Sequence, residues 1–98
     1  MLTMLQYPVS LNTFTLAMHE GSAVVSVGMV NGKPVLWALS DKDAPLVPHL
    51  FVTVETGKDV PEAIAEFLFI GTFQSPSGLV SLHLFDAGEA EEGEDEGA

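Results

Sequence analysis

The side chains able to meet a ligand are few and scattered. Trp37, the only tryptophan, lies four residues beyond Lys33 in Asn31-Gly32-Lys33-Pro34-Val35-Leu36-Trp37. An exposed indole can stack on a nucleobase or a partner's side chain, and Lys33 can meet a phosphate as a point charge. The competing use of Trp37 is core packing, because tryptophan is highly buried on average. Lys58, in Thr56-Gly57-Lys58, is a second candidate for an anion, against the ordinary role of a solvated lysine. His83 alternates with Ser81 and Phe85, so it either hydrogen-bonds a ligand from a strand face or is a satisfied histidine at the sheet boundary. Trp37, Lys33, Lys58 and His83 are therefore the candidate ligand-binding residues.

Other chemistry lacks its parts. His19, His49 and His83 are too far apart for a metal-binding pair at helical or hairpin spacing, so neither metal nor cofactor is expected. Glu62 and Glu66 stand one turn apart if their segment is helical, but like charges at that spacing mark a solvated face. With no cysteine there is no thiol nucleophile, disulfide framework or cysteine zinc site. No Gly-x-Ser-x-Gly elbow and no phosphate-binding glycine loop occurs. Nucleophile, base and oxyanion donors are not assembled by any motif, and a non-enzymatic protein is expected.

Fourteen acids against three lysines, with a formal net charge of −11, argue against a nucleic-acid backbone or an anionic membrane as the direct partner. Half of the acids crowd the end: Asp86, Glu89, Glu91, Glu92, Glu94, Asp95 and Glu96. Residues 1–85 hold seven acids and three lysines, a charge of −4. From Asp86 on, glycine, alanine and acids leave nothing large to bury. The expectation is one globular domain over residues 1–85 and a disordered acidic tail over 86–98. Such a tail either serves solubility or mimics nucleic-acid charge in a basic groove of an enzyme. Met1 to Pro8 has neither a basic n-region nor an apolar run for a signal peptide or membrane helix, and a cytoplasmic protein is expected.

The elements that must position these residues read as a mainly β fold. It is an antiparallel sheet or sandwich-like domain of about five to seven strands with at most one short helix, a small α+β variant. Thr3–Tyr7 forms an edge strand before Pro8, and Phe14, Leu16 and Met18 line one face of the next. Ala23–Val30 runs into Asn31-Gly32, the dipeptide best suited to the positive φ of a type I′ turn. A two-residue turn pairs Val30 with Lys33, Gly28 with Val35, Ser26 with Trp37 and Val24 with Leu39. On the other face it pairs Met29 with Pro34, Val27 with Leu36 and Val25 with Ala38. Both faces are apolar; one is the core, and the other needs cover from this chain, a second copy or a ligand. A domain of 98 residues buries only about 60–65% of its unfolded surface, so a homo-oligomer is expected. Strands follow over His49–Glu55, with Leu50, Val52 and Val54 on one face, then over Phe67–Phe73 and Leu79–Phe85. Pro61–Phe67 is the one helix candidate, one or two turns with Ile64, Phe67 and Leu68 facing inward.

The order of these segments resembles a family of short, uncharacterised proteins encoded by tailed bacteriophages, a domain of unknown function. The resemblance rests on Tyr7-Pro8, Gly21–Val27, Val30–Asp41 with its Leu36-Trp37-Ala38-Leu39 centre, Thr56-Gly57, Ile70–Gln74, and Leu79-Val80 through His83 and Phe85. Two positions depart from the family's pattern: Lys58 replaces a histidine after Thr-Gly, and Leu82 replaces an aromatic before the C-terminal histidine. The resemblance implies a phage accessory protein in the host cell cytoplasm and carries no established active site. The function expected first is counter-defence, by sequestering a small nucleotide-type signal in a pocket between subunits. The alternatives are an acidic inhibitor that binds a host defence enzyme as a nucleic-acid mimic, and a structural or assembly component of the phage.

Overall fold

The hairpin at Asn31-Gly32 sets the first layer. In a computed structural model, which describes residues 1–90, Asn31 and Gly32 have φ of 52° and 77°, the positive values a type I′ turn requires. β3 (Ala23–Val30) and β4 (Lys33–Asp41) leave that turn in the expected register as far as Ser26 opposite Trp37. There a bulge at Val25 shifts the pairing, so Val24 meets Ala38 and Ala23 meets Leu39, not Val24 with Leu39 and Val25 with Ala38 as the turn alone dictates. The bulge ejects Val25, which is 50% exposed, and keeps Val24 on the core side. β1 (Leu2–Pro8) pairs antiparallel with the other side of β4, giving a three-stranded sheet of order β1-β4-β3 with β1 at an edge.

The second sheet has the order β2-β5-β7-β6, from β2 (Phe14–His19), β5 (Leu46–Glu55), β6 (Leu68–Gln74) and β7 (Ser81–Glu89), and all its pairs are antiparallel. The described residues are thus mainly β, with seven strands in two sheets. Leu36 and Ala38 from one sheet, and Met18, Phe51, Phe73, Leu82 and Leu84 from the other, form the core between them, closed by Val9. Phe51, Met18, Leu36 and Leu84 are fully buried, each worth about 1.5–3 kcal/mol of transfer free energy.

Two expectations are corrected. Pro61–Phe67 holds the expected short helical turn, a 3-10 one over Glu62–Glu66, but it buries none of its own residues, and Leu68, expected to face inward, is 62% exposed and begins β6. Five residues cannot repay helix nucleation when no apolar face docks on the core. Residues 86–89 are not tail: β7 runs to Glu89, Asp86 is hydrogen-bonded inside the sandwich, and Glu89 accepts the Gly21 amide at 2.6 Å. Acids there find donors, which composition alone does not register. The rest of the acidic run, residues 91–98, lies outside the described residues.

β3 and β6 approach closely where the sheets meet. A Cβ built on Gly71 would stand 2.9 Å from Val27 Cγ1, so this glycine sets the spacing. Gly71→Ala is expected to cost about 1–3 kcal/mol as an overpacked contact in chemical denaturation. Val27→Ala in the same chain should recover most of that loss, and a double mutant no better than Gly71→Ala would contradict the contact.

Candidate functional site

β7 sends Leu82 and Leu84 into the core, 5% and 0% exposed, and so turns Ser81, His83 and Phe85 outward. Its neighbour β6 buries Phe73 and presents Thr72 and Gln74, with Thr72 opposite His83, Gln74 opposite Ser81 and Phe69 opposite Phe85. On the other side, β5 sets Val54 opposite His83 and Val52 opposite Phe85. The outer face of this sheet therefore carries an ordered strip: an aromatic pair, then an imidazole with its threonine, then an amide with its serine.

The imidazole is held from both sides. Thr56 Oγ1 lies 2.6 Å from His83 Nε2, and Thr72 Oγ1 lies 2.9 Å from Nδ1. In the neutral ring one nitrogen donates and the other accepts, so one hydroxyl is fixed as acceptor and the other as donor. One residue pair along, Gln74 Nε2 donates to Ser81 Oγ at 3.0 Å. Phe69, 52% exposed, meets Phe85 at 5.3 Å between centroids with the rings tilted by 54°. Successive outward positions on a strand are about 7 Å apart, so the aromatic pair, the imidazole and the Gln-Ser pair span roughly 14 Å. No residue of that strip is charged.

Lys58 joins it through the backbone. The turn that closes β5 is pinned beside β7 because the Thr56 amide donates to Ser81 O at 3.1 Å and the Lys58 amide to Glu55 O at 3.2 Å. The turn holding Lys58 is thus the one whose Thr56 bonds His83, and Gly57 makes its bend at φ 89°.

Trp37 and Lys33 belong to the opposite side of the molecule. With Leu36 and Ala38 fully buried, Lys33, Trp37 and Leu39 face outward from β4 with Val35 on the same side but itself buried at 7% exposure, and Trp37 is half-buried there, not a core residue. A Cβ on Gly28 would stand 3.1 Å from the indole Cζ3, so the glycine leaves room for the ring to lie flat on the sheet. The four candidates form two pairs, Lys58 with His83 on one sheet and Lys33 with Trp37 on the other.

The residues the sequence reading missed are the partners. Thr72 could have been found by pairing strands back from Gln74-Ser75-Pro76-Ser77-Gly78, which sets Gln74 against Ser81 and Thr72 against His83. Thr56 has a weaker signal, because it lies past the end of β5, opposite Ser81, and reaches His83 on the diagonal. His49, weighed from the sequence only as a metal ligand, is 3% exposed, bonds Asp86 Oδ1 through Nε2 at 2.7 Å and stacks on Phe51 at 4.8 Å. Its Nδ1 has no protein partner. His19 is held separately, with Nδ1 2.8 Å from Ala44 O. Among the described residues no group of three or more His, Asp or Glu is placed to hold a metal ion, and no helix is long and apolar enough to cross a membrane.

Set against known proteins, residues 1–95 match a family model described as "Domain of unknown function (DUF7352)". No curated protein and no solved structure matches.

Proposed function

We propose that this chain, which belongs to the Domain of unknown function (DUF7352) family, is a non-enzymatic phage accessory protein that acts in counter-defence by sequestering a small nucleotide-type signal. The observation that carries the reading is the His83 strip. Thr72, His83, Thr56 and Gln74 offer donors and acceptors at fixed spacing on an open sheet face. Each threonine hydroxyl bonded to the ring keeps capacity for a further hydrogen bond. Phe69 beside them is exposed enough to stack a base, an interaction worth about 1–3 kcal/mol. Lys58, on the turn at the edge of the strip, supplies the charge for a phosphate.

The same arrangement supports binding over catalysis. Thr56 and His83 are at nucleophile-to-base distance, but the group that orients the ring is the hydroxyl of Thr72 and not a carboxylate able to stabilise an imidazolium. Phage origin rests on the resemblance in the order of segments, and counter-defence on that origin together with the binding strip.

Calorimetry against a panel of cyclic and linear nucleotides tests the reading. Saturable binding of at least one, tighter than about 10 μM (about −7 kcal/mol) and weaker at high salt, is expected. No heat with any member of the panel would remove the ligand class.

A further inference from the structure

The residues of β4 on the outer side form an ordered series along one strand, Lys33, Val35, Trp37, Leu39, Asp41, of which Val35 is already covered at 7% exposure. It is apolar at the centre, with a cation at one end and an anion at the other. Beside it on β1, Leu2 and Met4 face the same way at 61% and 52% exposure. Directly beside Trp37 stand Gln6 on β1 and Ser26 on β3, so the apolar part of the face is Trp37, Leu39, Met4 and Leu2, an exposed methionine and leucine on one side of a tryptophan of the kind that marks an association surface.

We infer that this outer face of the β1-β4-β3 sheet docks a second copy of the chain, through a two-fold axis that passes at Trp37 and reverses the direction of β4. The charge series selects that occupant and that orientation. A two-fold interface brings residue i against j and j against i. Reversal about Trp37 sets Lys33 of one copy against Asp41 of the other at both ends, with indole against indole at the centre. An axis parallel to β4 would set lysine on lysine and aspartate on aspartate. Asp41 is not already neutralised: its one ion pair among the described residues is with the Met1 ammonium at 4.0 Å, an exposed contact of little strength. The face measures roughly 26 Å along β4 and 14 Å across three strands, from the strand repeat and spacing. That is about 360 Å² per copy, below the roughly 800 Å² per partner of a standard specific interface, so the dimer is a weak, concentration-dependent one. The His83 strip lies on the opposite sheet and stays open, so the inference does not depend on the ligand reading.

The test is sedimentation velocity across a dilution series, with the emission of the single tryptophan as a parallel readout. Wild type is expected to pass from monomer to dimer, with the Trp37 emission shifting to the blue as it does. Met4→Glu, at a side chain exposed in the monomer, should weaken association about tenfold or more with an unchanged circular dichroism spectrum. Lys33→Glu and Asp41→Lys should each weaken it about fivefold, since each places like charges opposite one another. Mixing these two variants should restore dimers, because each then offers the charge the other needs. A wild type that stays monomeric at millimolar concentration, charge variants that associate like wild type, or a mixture no better than its components would overturn the inference.

Discussion

Asp86→Ala is expected to lower the stability of the fold by about 2–3 kcal/mol, the usual result of leaving the buried partners of a hydrogen-bond acceptor unsatisfied. The Asp86 and His49 side chains are 10% and 4% exposed and meet at 2.7 Å. The same Asp86 oxygen also accepts the Gly88 amide at 2.8 Å. Truncation at Asp86 would leave the imidazole with neither nitrogen partnered, because Nδ1 already has no protein partner, and would orphan the Gly88 donor as well. For a domain of this size such a loss corresponds to a fall in Tm of about 10–20 °C. The paired replacement His49→Phe with Asp86→Leu should lie much closer to wild type. Phenylalanine can take the imidazole's place in the stack on Phe51, and no ring nitrogen is left unpaired. Thermal unfolding of both variants decides the matter; a loss under 1 kcal/mol in Asp86→Ala would mean that the pair does not anchor β7. The same reasoning separates two truncations. Removal of residues 91–98 is expected to leave a folded domain, and removal of 86–98 is not. The role of the acidic run in any inhibitory activity should therefore be judged on the shorter deletion.

Thr72→Val is expected to weaken the binding of a nucleotide-type ligand by about ten- to a hundredfold while changing stability by no more than about 0.5 kcal/mol. The substitution keeps the β-branched shape on an exposed strand position and removes only the hydroxyl that holds His83 Nδ1. A surface change away from core and caps costs the fold little. Losing both a direct contact and the restraint on a neighbouring imidazole costs the ligand one to two powers of ten. Thr56→Val should behave alike through Nε2. Lys58→Ala should lower affinity about fivefold and flatten its dependence on salt. Trp37→Phe, on the other sheet, should leave the affinity unchanged. Calorimetric titrations of the four variants test this together, and wild-type affinity in Thr72→Val would detach the strip from binding.

Most of the architecture was legible from local chemistry. Asn31-Gly32 announced its turn because few dipeptides tolerate two positive φ values, and the pairing followed by counting. It failed at Val25, because a bulge is set by how the ribbon must twist to lay Val24 and Val27 on the second sheet, a demand that does not reside in the hairpin. The alternation in β4 placed Trp37 on one face, but which face is core depends on β1 and the opposing sheet, and both faces are apolar. The tail boundary was misplaced for a related reason. Asp86 reads as one more surface acid, and its burial depends on His49, 37 residues away. His83 was visible as a candidate while its two threonines were not, since one of them reaches it diagonally from beyond the end of the neighbouring β5.

The central claim is that the ligand meets the outer face of the β2-β5-β7-β6 sheet at His83. A nucleotide titration followed by the NMR shifts of the backbone amides and the His83 imidazole tests it most directly. The expected result is a set of saturable shifts at His83 and confined to residues 54–58, 69–74 and 81–85. Shifts centred instead on Trp37 and the rest of β4, or a His83 imidazole that does not move while ligand binds, would contradict it.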